Sequence, residues 1–150
     1  MGKILNFRNS KVRMVILAIV DVLTMIVNSY LSLILRYEGH YSWINEEYID
    51  SIQAYMLINI ITTLIIFLVL NLYNSVWTFA SIHEVVMIVA ACTLSAAFQA
   101  LGMQFLMLHV PRSYYVFYWF FMIATTSATR FSYRVYSIVK HEFGHKKGQR

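Results

Sequence analysis

The chain has a single cysteine, Cys92, and a single proline, Pro111, in 150 residues. One thiol excludes any intrachain disulfide and leaves the redox compartment undetermined. The glycines at positions 2, 39, 102, 144 and 148 are scattered. Neither G-x-G-x-x-G nor G-x-x-x-x-G-K-[ST] occurs, so neither of those phosphate-cradling loops can form. Charged residues make up only 13% of the chain, well below the roughly 25% of an average soluble domain. No motif offers a nucleophile with its base or paired acids in a pocket, which argues against this chain alone being an enzyme. Strict alternation of apolar and polar residues is also missing, which excludes a membrane β-barrel. No small-x-small cleavage site follows the first apolar run, and that run is too long for a signal peptide.

What is present is oil. Hydrophobic residues reach 59% and mean hydropathy is +0.60. Four apolar segments stand out: 14–35, 52–72, 85–108 and 113–129. Each reaches or approaches the roughly 20 residues a helix needs to cross about 30 Å of hydrocarbon. The fourth is the shortest and continues as a helix past Arg130 and Arg134 toward Lys140. The pattern predicts an all-α polytopic membrane protein, an antiparallel bundle of four transmembrane helices over residues 14–135. A basic N-terminus (1–13) precedes it and a basic tail or linker (136–150) follows. The segments between the helices are too short to bury a soluble core.

The +5 net charge is placed asymmetrically. Lys3, Arg8, Lys11 and Arg13 precede the first segment, and Arg130, Arg134, Lys140, Lys146, Lys147 and Arg150 flank or follow the fourth. Only Arg36 and Arg112 remain for the other side, and the connection 37–51 carries Glu38, Glu46, Glu47 and Asp50 without a base. The positive-inside rule then puts both termini in the cytoplasm. Bases at membrane ends rather than on one folded face point to anionic lipid headgroups as partners and away from nucleic acid.

Asp21 lies about a third of the way into the first segment, where an isolated charge costs on the order of 2.5 to 3.5 kcal/mol. Thr24, Asn28 and Ser32 extend a polar stripe from it, while Ile16, Leu23, Val27 and Leu31 are left for lipid or neighbours. Counting inward at roughly 1.5 Å per residue puts Asp21 about 12 Å deep and Arg130 about 6 Å deep, within reach of a long side chain. Asp21 and Arg130 are therefore expected to form a structural intramembrane ion pair. A proton or ion relay is the functional alternative. In the third segment Ala91, Ser95, Gln99 and Gly102 share a face, with Ala96 and Ala100 as a second small-xxx-small step; Gln99 or Gln104, and Asn59 in the second segment, are expected to bond between helices. The aromatic cluster Tyr114, Tyr115, Phe117, Tyr118, Trp119, Phe120 and Phe121 reads as an interfacial belt. His141-Glu142-Phe143-Gly144-His145 matches H-E-x-x-H literally, but it sits on a basic tail without a third ligand, so no metal site is assigned.

The stretch LYNSVWTFAS, 72–81, interrupts the oil without a charge. Placed between two spans, it returns the chain at the cytoplasmic face. Tyr73 and Trp77 are one helical turn apart and would anchor at the headgroups, while Ser81 and Glu84 form an S-x-x-E capping box for the next helix. Together with VPRSYYVFYWFFMI, Arg36, Arg130 and Arg134, this stretch resembles the N-terminal transmembrane region of the CapD-like polysaccharide-biosynthesis family, the membrane-bound nucleotide-sugar 4,6-dehydratases and epimerases of bacteria. The resemblance covers essentially the whole chain and departs from the family at Asn74 and Thr78, where members commonly carry Arg. It implies an anchor in the bacterial cytoplasmic (inner) membrane, a basic linker such as KKGQR, and a following cytoplasmic domain that binds NAD and acts on a UDP-amino sugar. No catalytic, cofactor-binding or metal residue is carried over. A membrane region of an initiating sugar-phosphate transferase and a small proton-coupled transporter centred on Asp21 are the alternatives. A bare scaffold for a cytoplasmic enzyme and a homo-oligomer also remain open.

Overall fold

The computed structural model describes residues 2–73 and 82–147. Four α-helices follow one another: α1, Gly2–Arg36; α2, Glu46–Val69; α3, Ile82–Phe105; and α4, Arg112–Lys147. A short 3₁₀ turn, Tyr41–Trp43, lies between α1 and α2. Trp77 and Ser81, and with them the interfacial anchor and capping box expected there, lie outside the described residues.

The helix ends follow from local chemistry. The side chain of Asn45 accepts from the Glu47 N–H at 3.4 Å, and Glu46 and Glu47 in the first turn of α2 suit the positive end of its dipole. The first three helices close alike. Gly39 N–H donates to Ile34, Leu72 to Phe67 and Leu108 to Met103, at 3.1, 3.0 and 2.9 Å, each bond spanning six residues. The preceding residues, Glu38, Asn71 and Met107, take positive φ of 53°, 54° and 54°. This is the Schellman termination, which satisfies carbonyls that the helix itself leaves open.

The helices pack antiparallel in a ring, α1 against α4 and α2, and α3 against α2 and α4. The start of α1 and the end of α4 therefore lie at one end of the bundle. Among the described residues three helices are long and apolar enough to cross a membrane: Lys11–Arg36 within α1, Glu46–Val69 and Ile82–Phe105. The fourth does not stand out in the same way, since its 113–129 segment is rich in Tyr, Trp, Ser and Thr. α1 and α4 are the longest helices, at 35 and 36 residues, and run into the basic flanks that the sequence set apart as tails.

The bundle mixes polar side chains into an apolar core and is apolar outside. Asp21, Asn28, Ser32, Asn59, Thr63, Ser95, Gln99, Thr126 and Arg130 are buried, while Ile16, Leu23, Val27, Leu57, Ile61, Ile65, Leu101, Val116 and Phe120 face outward. In water such a surface would be an aggregation liability far larger than monomers tolerate. In lipid it is the expected exterior, and the interior polar groups hold helices together where no hydrophobic effect operates between them. The arrangement is that of a multi-span integral membrane protein.

Candidate functional site, an ionic clasp closing a polar interior

In lipid an interior donor must look for its acceptor inside the protein, and several layers of the bundle are paired in this way. Farthest from the termini, Gln99 Nε2 on α3 donates to the Tyr114 hydroxyl on α4 at 3.2 Å. Tyr55 of α2 crosses to the Phe98 carbonyl of α3 at 3.4 Å. That approach is possible because Gly102 is bare: a Cβ there would overlap the Tyr55 hydroxyl. Deeper, Asn59 Nδ2 donates to the Tyr118 hydroxyl at 2.8 Å, and the Thr63 and Ser95 hydroxyls meet at 2.5 Å. Asn28 Nδ2 on α1 donates to Thr125 Oγ1 on α4 at 2.9 Å.

The layer nearest the termini is charged. Arg130 Nη1 and Nη2 donate to Asp21 Oδ1 and Oδ2, both at 3.4 Å, a two-pronged pairing of α4 with α1. Both side chains are almost wholly enclosed, 5% and 2% exposed. The Tyr73 hydroxyl, on the connection after α2, donates to Asp21 Oδ2 at 2.9 Å. The rings of Phe67 and Tyr73 each face the guanidinium carbon at 5.5 Å. One carboxylate thus ties together α1, α4 and the chain leaving α2. Burial, and next the neighbouring Asp21 carboxylate, push the Tyr73 phenol well above its ordinary value, so it stays a donor at physiological pH.

This geometry corrects two expectations. Tyr73 does not face the headgroups; it is 3% exposed and turned inward, because a carboxylate at this depth gains from a second donor. Tyr114 and Tyr118 do not belong to an interfacial belt; both are fully buried, as acceptors for amides that lipid cannot satisfy. Trp119 lies toward the outside, donating to Thr93 Oγ1 at 2.9 Å. Thr24 turns back on its own helix, donating to the Asp21 carbonyl at 2.8 Å. Glu84 pairs with Arg134 at 3.6 Å, which ties the first turn of α3 to α4. Gln104 is exposed. The backbone of 141–145 continues α4 through Gly144, and its side chains lie outside those described.

Sequence reading missed the roles of Phe67, Tyr73, Tyr114 and Tyr118. A signal existed: Tyr114, Tyr118, Met122, Thr126 and Arg130 recur at every fourth position, and all five are buried. A stripe that ends in a buried arginine should have been read as inward-facing along its whole length.

Chemically, the clasp sets one buried charged group against another. Removing two charges from water costs several kcal/mol per ion, and close pairing with added hydrogen bonds offsets that cost. Its geometric effect is to join α1, α4 and the chain leaving α2 at one point. Among the described residues no three His, Cys, Asp or Glu side chains converge to hold a metal ion. Comparison with protein-family models, curated proteins and solved structures finds no match.

Proposed function

We propose that this chain is a four-helix membrane-anchoring domain, both termini cytoplasmic, that holds a nucleotide-sugar dehydratase or epimerase of bacterial glycan assembly at the inner leaflet. The observation that carries the anchoring part is the inverted bundle: lipid-facing aliphatics outside, interhelical hydrogen bonds inside, and an ionic clasp at the end where α1 and α4 extend. α4 is the fourth span in this reading. Its tyrosines lower its apparent hydropathy, yet Tyr114 and Tyr118 are buried among the other helices and leave Val116 and Phe120 to the lipid. The nucleotide-sugar part rests on the resemblance of the loop 72–81 and of the Pro111-Arg112-Ser113 entry and Arg130/Arg134 exit of α4 to the CapD-like membrane region. NAD would belong to the catalytic domain of such an enzyme and not to this bundle. Tethering contributes by concentrating the enzyme at the surface where glycan precursors are assembled.

The test is to read the coding sequence beyond Arg150 and to purify the chain from native membranes. A glycine-rich strand-loop-helix in the same reading frame, or copurifying NAD-dependent conversion of a UDP-amino sugar, supports the proposal. A downstream sugar-phosphate transferase domain, or neither finding, overturns it. The closure of the interior by a paired Asp21, with no second acid buried among the described residues, favours anchoring over a proton-coupled exporter.

A further inference from the structure

At the termini end a cleft of about 370 Å³ opens between the end of α2, the start of α3 and α4. Its apolar wall is Leu70, Leu72, Met87 and Ile88, and its polar groups include His83, Glu84 and Arg130. Pockets of this size suit a small polar group with an apolar extension. Val69 and Ile82, next in sequence to the lining residues Leu70 and His83, are strongly exposed at 72% and 85%, so aliphatic side chains are available beside both helix ends that form the cleft.

The charges inside are separated but balanced. Arg130 is matched by Asp21 and Glu84 by Arg134 at 3.6 Å. A bare anion entering here would meet Arg130 and His83 but would also approach the Glu84 carboxylate, with that of Asp21 on the far side of Arg130. A ligand with its own ammonium relieves that repulsion: its phosphate can share Arg130, whose five N–H groups exceed the two acceptors of Asp21, while its ammonium reaches Glu84. We propose that this cleft binds the headgroup of a glycerophospholipid carrying both a phosphate and a primary ammonium, with its acyl chains leaving over Val69 and Ile82. The proposal rests on the membrane-anchoring reading and goes beyond it by naming a lipid class that the anchor selects.

The experiment is native mass spectrometry of the full chain after exchange into nanodiscs of equal phosphatidylethanolamine, phosphatidylglycerol and phosphatidylcholine. One phosphatidylethanolamine should be retained, roughly tenfold over either competitor, as expected for one charge-assisted contact. Met87→Trp, which fills the cleft, should abolish retention, whereas Leu57→Trp on the lipid-facing side of α2 should not. Glu84→Gln keeps the cleft volume and should erase the discrimination between ethanolamine and choline headgroups. Equal or better retention of phosphatidylglycerol would show a simple anion site and overturn the proposal. So would retention that survives Met87→Trp, or no preference among the three lipids. None of these outcomes alters where a reporter fused after Arg150 is found, so failure of the lipid site and failure of the anchor are separable.

Discussion

Replacing Arg130 by Met strands the Asp21 carboxylate in the bundle interior, where among the described residues the Tyr73 hydroxyl remains as donor. The two hydrogen bonds at 3.4 Å from Nη1 and Nη2 are lost. Breaking one side of a buried pair costs about 3–5 kcal/mol, and the guanidinium also leaves the rings of Phe67 and Tyr73. Asp21→Leu strands the guanidinium in turn, with a cost of similar size. The double replacement Asp21→Leu/Arg130→Met removes both charges and leaves mainly the Tyr73 hydroxyl unpaired, an expected cost of about 1 kcal/mol. The cycle should therefore be strongly non-additive. Cys92 supplies the assay: it is the only thiol and fully buried, so a fluorogenic maleimide reports bundle opening during a thermal ramp. Single variants should open well below wild type and the double close to it. Additive losses, or singles no worse than a lipid-facing control such as Leu57→Ala, would refute the clasp as a coupled unit.

Gly102→Ala should destabilise the α2–α3 contact by about 1–3 kcal/mol, and adding Tyr55→Phe should recover only part, because ring carbons of Tyr55 also lie too close to the new Cβ; the same thermal labelling measures both. Asn59→Ala leaves the buried Tyr118 hydroxyl without its donor and should cost about 0.6 kcal/mol, up to about 1.7, the range of interhelical bonds in membrane proteins. Met107→Gly should raise stability by about 1 kcal/mol, since Met107 holds φ 54° with its side chain 82% exposed and a left-handed conformation penalises any residue with a Cβ. Because the Tyr73 phenol is raised above its ordinary value in the folded chain, its contribution is fully present below the unfolded tyrosine value of about 10. It is lost as pH rises above that value, so opening temperatures should hold steady from pH 6 to 9 and then fall, less steeply in Tyr73→Phe.

The number and direction of the helices were legible because lipid imposes a length on them: runs of about 20 apolar residues leave little choice. Depth counting along α1 and α4 brought Asp21 and Arg130 close enough to consider together. Their supporting residues were not legible, for a physical reason. Tyrosine serves equally well at a headgroup boundary and as a buried acceptor, and composition alone does not choose. The one-turn spacing of Tyr73 and Trp77 suggests a shared face at the headgroups, yet the Schellman turn at Asn71 redirects the chain so that Leu72 and Tyr73 are buried in the bundle. Likewise the aromatic cluster at 114–121 divides by face, with Tyr114 and Tyr118 inward and Val116 and Phe120 outward. Only the four-residue recurrence ending at Arg130 separates the two sets. The cleft beside the clasp draws on α2, α3 and α4 together, and no stretch of sequence announces it.

Paired reporter fusions after Met107 and after Arg150 test the central claim, that all four helices cross and both termini are cytoplasmic. The account predicts an extracytoplasmic reporter at Met107 and a cytoplasmic one at Arg150. Both reporters on one side would mean that α4 does not span, and an extracytoplasmic reporter at Arg150 would contradict the anchor outright.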